Sequence, residues 1–151
     1  MYRRSALKFA GTLGASALVG ALLGACAGSA LPMTFATASP RPTSDAFACA
    51  QQQVKALEFK IDSHDDEELR LTARKYDEKT RRPDVQFRRL IDRLSIDVDP
   101  GHGDTVTTIS VVAHTFAELM THRGPTEQEE RPSENAQLAA QAILNRCAAK
   151  P

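Results

Sequence analysis

Downstream of Asp45 the spacing of apolar residues changes period along the chain, and each period predicts an element. Phe47, Ala50, Val54 and Leu57 recur at helical spacing behind Asp45, a good N-cap, so a short amphipathic helix is expected with Cys49 on its flank. Phe59 and Ile61 then share one side of "EFKID", the polar run "SHDDEE" interrupts, and Leu69, Leu71 and Ala73 alternate with Glu68, Arg70, Thr72 and Arg74. Alternation on both sides of a polar break predicts a β-hairpin.

The next passage carries two periods at once. Phe87, Leu90, Ile91 and Leu94 have helical spacing, whereas Leu94, Ile96 and Val98 alternate. Either a helical turn precedes a strand or the strand begins near Leu90, and the second arrangement is the expectation here. "PGHGD" has turn composition, and "TVTTISVVAHTF" is β-branched nearly throughout, which makes a second hairpin. After the Gly124-Pro125 loop and an acidic stretch, Ser133 can cap a last helix that places Ala136, Ala140, Ile143 and Cys147 on one stripe, with Leu144 beside it. The expected fold is therefore α+β: helix, four-stranded antiparallel sheet, helix, both helices on one face. Residues 46–151 suffice for one small domain. The preceding "AGSALPMTFATASPRPTSD" shows little periodicity and reads as a flexible tether, with a coil span of about 25 Å.

Upstream of the tether, Arg3, Arg4 and Lys8 precede an uncharged apolar run from Phe9 to Ala25 that ends in Leu23-Gly24-Ala25-Cys26. A basic start, an apolar middle and a small-residue end form an export signal. The run is diluted by Gly11, Gly14, Gly20 and Gly24 and falls short of the roughly 20 apolar residues that a permanent span needs. L-G-A-C resembles the bacterial lipobox. The resemblance is confined to residues 1–26, and it implies that residues 1–25 are removed, that Cys26 becomes the acylated first residue, and that residues 26–45 tether the domain to a membrane. Arg3, Arg4, Leu7 and Lys8 also resemble the twin-arginine export motif, with Tyr2 and Ala6 departing from it, so that route and the general one both stay open. Ala27 stands where many retention signals of this family carry Asp, which points to the outer membrane of the cell envelope, facing the periplasm.

Lipidation changes how the cysteines are counted. With Cys26 acylated, Cys49 and Cys147 remain as one pair in an oxidising compartment, where a disulfide persists. It also changes the charge: the whole chain balances 19 basic against 19 acidic residues, but losing Arg3, Arg4 and Lys8 leaves 16 against 19. A mildly acidic mature chain argues against a dedicated nucleic-acid protein.

Candidate chemistry is sparse. "SHDDEE" offers one imidazole and four carboxylates without the glycine or spacing of a calcium loop, and reads as a solvated turn. His64, His102, His114 and His122 stand singly, so no metal site or cofactor is expected. Arg81, Arg82, Arg88, Arg89 and Arg93, together with Lys79, face only Asp84 and Asp92 between residues 79 and 93, a strip suited to anionic headgroups or an acidic envelope protein. No nucleophile elbow or phosphate-binding glycine loop occurs, and catalysis is not expected. The leading expectation is a membrane-anchored binding or assembly module; the alternative is a carrier or sensor that holds a small apolar ligand between sheet and helices.

Overall fold

The computed structural model describes residues 31–101 and 106–149. The signal segment, Cys26 and His102 lie outside them. The described chain runs β1 (Met33–Ser39), α1 (Thr43–Ala56), β2 (Lys60–Asp65), β3 (Arg70–Asp77), β4 (Phe87–Pro100), β5 (Thr107–Thr121), β6 (Gly124–Glu130) and α2 (Glu134–Ala148). The α+β class stands, but the sheet has six strands instead of four, and a strand precedes the first helix.

Both additional strands lie on the same side of β5. This strand is 15 residues long, and its first half pairs with β1, from Met33 opposite Ala113 to Ser39 opposite Thr107. Its second half pairs with β6, from Thr115 opposite Glu130 to Thr121 opposite Gly124. Beyond its other side follow β4, β3 and β2, with every pairing antiparallel. The expected tether is thus corrected: residues 33–39 are a strand of the sheet. Met33, Phe35 and Thr37 alternate as half-buried positions with exposed Thr34, Ala36 and Ala38, a contrast too shallow to read in advance because Thr and Ala occupy both faces. The "Gly124-Pro125 loop" is the start of β6, whose side chains are almost all exposed and so leave no apolar period.

Three boundaries also move. β4 begins at Phe87, earlier than Leu90, and the pairing of Phe87 and Arg89 with Leu119 and Glu118 contains a bulge, which explains the broken alternation there. α1 starts at Thr43, with Pro42 at the cap position and no side-chain cap, so Asp45 lies in the first turn, where its charge favours the helix dipole. β5 extends through Thr121, beyond the expected Phe116.

The core lies between one sheet face and the two helices. Leu94, Ile96 and Val98 of β4, Ile109, Val111 and Ala113 of β5, and Leu71 and Ala73 of β3 meet Phe47, Ala50 and Val54 of α1 and Ala140, Ile143 and Leu144 of α2 in one cluster. Cys147 faces inward as expected and is joined to Cys49, with Cα atoms 5.7 Å apart and a sequence separation of 98. Next to this bridge the buried Ser39 hydroxyl donates to the Cys147 carbonyl at 2.9 Å, and the Arg41 Nε donates to the Ala149 carbonyl at 3.0 Å. The end of β1 is therefore tied to the end of α2, at the edge where both helices are bridged.

Candidate functional site

The inner face is not apolar throughout. In β4 the inward positions read Asp92, Leu94, Ile96, Val98, so one carboxylate stands in a register otherwise filled by aliphatic groups. Asp92 is 2% exposed. Its Oδ1 accepts from the Thr115 hydroxyl of β5 at 2.6 Å and from the Ser133 hydroxyl at 2.8 Å. Ser133 is the N-cap of α2: its Oγ also accepts from the Ala136 N–H at 3.0 Å, while its own N–H donates to Thr115 Oγ1 at 2.8 Å. One closed network thus ties the first turn of α2 to β4 and β5. The positive end of the helix favours the carboxylate there, yet burial dominates and pushes the Asp92 carboxyl above the usual carboxylate range.

Asp92 forms part of the floor of a cleft of about 1000 Å³ between α2, the end of α1 and β3. Leu57, Phe59, Leu138, Ala139 and Ala142 supply apolar wall. Leu138 is 55% exposed, whereas the other large apolar residues of its helix, Ile143 and Leu144, are buried. Its side chain is therefore available to whatever enters. The mouth is polar, with Glu58, Asp77, Glu78, Lys79 and Arg81. Asp77 organises this mouth: it accepts from the Thr80 hydroxyl at 2.6 Å and from the Lys79 N–H at 2.8 Å, and these bonds hold its carboxyl below the usual range.

The cation that pairs with Asp92 across the strands is turned elsewhere. Lys75 stands opposite Asp92 in the β3–β4 register, so both side chains emerge on the same sheet face. Its Nζ donates instead to the Leu57 carbonyl at 2.9 Å, closing the end of α1, and to Glu58 at 3.2 Å. Among the described residues, the hydrogen bonds of the Asp92 carboxylate come from two hydroxyls, both to Oδ1.

The basic strip has a different fate. Arg82 forms a two-pronged pair with Glu130, at 2.5 and 2.6 Å; Arg89 meets Glu118 at 2.7 Å, Arg88 approaches the same carboxylate at 3.6 Å, and Arg93 meets Glu127 at 2.8 Å. Arg81 donates to the carbonyls of Glu78 and Thr80. The arginines also cover aromatic rings on the outer sheet face: Arg89 lies 3.8 Å from the Tyr76 centroid, and Arg93 and Arg82 each lie 4.6 Å from theirs, over Phe116 and Phe87. The acidic stretch, expected as a loop, is thus a strand that neutralises Arg82 and Arg93, while Glu118 of β5 serves Arg88 and Arg89. His114 joins it through Nδ1 to Glu129 at 2.7 Å, beside Phe116.

The remaining sequence candidates stay apart. "SHDDEE" closes the β2–β3 hairpin, with the Asp65 carboxylate accepting the N–H groups of Glu67 and Glu68 at 2.9 and 3.0 Å, and His64 lies 3.9 Å from Asp66. Among the described residues no cluster of three or more His, Cys, Asp or Glu could hold a metal ion, and no helix is long and apolar enough to cross a membrane.

Asp92 is the site residue that the sequence reading passed over, counting it only as a counter-charge to the arginines. An acid falling at an inward step of the alternation Asp92, Leu94, Ile96, Val98 was the signal that could have found it. No family model matches the chain, and no curated protein matches it in sequence.

Proposed function

We propose that this chain is a lipoprotein of the bacterial envelope whose domain binds a small amphipathic ligand in the cleft beneath α2. The observation that carries the reading is the cleft itself: an apolar wall with the exposed Leu138 on one side and a buried carboxylate on the floor. Clefts of this size that join an apolar wall to placed polar groups are where small molecules bind. The leading expectation from the sequence, a protein-docking module, drew on a sheet surface or the arginine strip, and the charge of that strip is engaged by carboxylates and carbonyls of the same chain.

The address rests on residues 23–26 and their resemblance to a lipobox, with Cys26 acylated and the outer membrane, facing the periplasm, as destination. The Cys49–Cys147 bridge supports export, because such bonds persist in oxidising compartments. Two or more acyl chains give lasting attachment. Radiolabelled palmitate is expected to enter the wild type and not Cys26→Ser; equal labelling of both contradicts the anchor.

The ligand reading is tested with the full chain carrying Cys26→Ser, purified with its disulfide intact, so that no acyl group contributes. The neutral fluorophore N-phenyl-1-naphthylamine is expected to bind, and Ala142→Trp, which places an indole in the cleft from a half-buried wall position, is expected to weaken it by ~10-fold or more. Equal binding by both chains contradicts the proposal.

A further inference from the structure

The binding reading leaves open which head group the cleft accepts, and the arrangement around Asp92 narrows it. The acids lining the cleft are Glu58, Asp77, Glu78 and Asp92, against Lys75, Lys79 and Arg81. Most of these charges are already committed. Lys75 is held by the Leu57 carbonyl and Glu58, Arg81 by the carbonyls of Glu78 and Thr80, and Asp77 by Thr80 and Lys79. Asp92 differs from them in being buried at 2% exposure with no cation bonded to it among the described residues. Both of its hydroxyl donors reach Oδ1, and no bond among the described residues reaches Oδ2, on a side chain that lines the cleft.

A buried carboxylate without a cation is an unfavourable arrangement that an incoming cation relieves. An anionic ligand meets the reverse: it would lie against Asp92, while the cations around it are bonded elsewhere or stand at the mouth. A neutral hydroxyl can donate one hydrogen bond to Oδ2, but it leaves the buried charge uncompensated, which an ammonium does not. The apolar wall of Phe59, Leu138 and Ala142 requires a hydrocarbon part as well.

We infer that the cleft selects an alkylammonium ligand, its cation on Asp92 Oδ2 and its chain along Phe59, Leu138 and Ala142. The inference rests on the cleft being a binding site, and the two fail in different ways. Octylammonium, octanol and octanoate share one chain and differ in head group. Titrated calorimetrically at submicellar concentration into the full chain carrying Cys26→Ser, octylammonium is expected to bind ~10-fold tighter than octanol or more, with octanoate weakest. Asp92→Asn is expected to erase that preference.

A second measurement needs no variant. Octylammonium stays protonated across the acidic range, so its affinity for the wild-type cleft should rise with pH as Asp92 ionises, while octanol affinity stays flat. The charged groups around Asp92 are Lys75 and Asp77 on β3, Glu58 after α1, and Glu78, Lys79 and Arg81 beyond β3; the residues that α2 contributes to the lining, Asn135, Leu138, Ala139 and Ala142, carry no charge. Octanol binding as tightly as octylammonium, a preference that survives Asp92→Asn, or an affinity independent of pH would each overturn the ammonium assignment and leave the cleft reading intact. Binding of none of the three ligands, together with no binding of N-phenyl-1-naphthylamine, would overturn both.

Discussion

At the scale of single residues the structure depends on polar groups set within apolar surroundings. Ser133 serves two purposes at once, capping α2 and donating to Asp92. Ser133→Ala should therefore cost more than an ordinary cap, about 1–2 kcal/mol in urea unfolding; a loss indistinguishable from zero would contradict the network. Asp92 has the opposite sign from most native carboxylates. Burial raises its carboxyl, so between the unfolded and folded titrations the native chain keeps a proton that the unfolded chain has released, and this group's contribution to stability falls as pH rises. The stability of Asp92→Asn relative to wild type should shift in the variant's favour across that window. Glu130 runs the other way: its bond to Arg82 holds it below the usual range, so its contribution is present above the ordinary glutamate titration and lost as pH falls. For this pair, about a third exposed, Glu130→Gln should cost about 0.5–1 kcal/mol near pH 7, and the deficit should close on acidification.

At the scale of elements, one long strand organises the sheet. β5 needs partners along its whole length on both sides, and β1 and β6 divide one of them. Alternate amides of residues 33–39 should thus exchange slowly with solvent, as β-paired groups do, whereas a tether would exchange them at once. The Cys49–Cys147 bridge closes a loop across nearly the whole domain. Replacing both cysteines by alanine should lower stability by about 2–4 kcal/mol in denaturant unfolding, with the chain-entropy limit near 4.7 kcal/mol. The parts legible from sequence were those with strong apolar contrast: the inward stripe of α2 with its Ser133 cap, the Leu71 and Ala73 face of β3, and the paired alternation of β4 and β5. β1 and β6 escaped because an edge strand is specified by its partner as much as by itself. Thr and Ala give β1 almost no difference between faces, and β6 consists of polar residues whose role is to meet Arg82, Arg93 and His114. A pocket between sheet and helices was the alternative expectation, but its lining escaped for a related reason. Its members come from α2, β3, β4 and the segments after α1 and β3, and only their packing brings Asp92 under Leu138.

At the scale of the whole molecule, the two ends of α2 have different characters. Its last turn is fixed by the disulfide and by Ser39 and Arg41, while its first turn stands over a cleft. With Cys26 as the proposed anchor, residues 27–32 alone separate the acyl group from β1, a reach of at most about 25 Å, so the domain would work close to the bilayer and not at the end of a long tether. Locating a bound ligand by nuclear magnetic resonance is the most telling experiment on this arrangement: octylammonium titrated into the full chain with Cys26→Ser, with backbone and methyl shifts followed. Shifts concentrated on Phe59, Lys75, Asn135, Leu138 and Ala142 are predicted. Shifts confined to the outer face around Arg93 and Phe116, or none at saturating ligand, would contradict the cleft as the site of function.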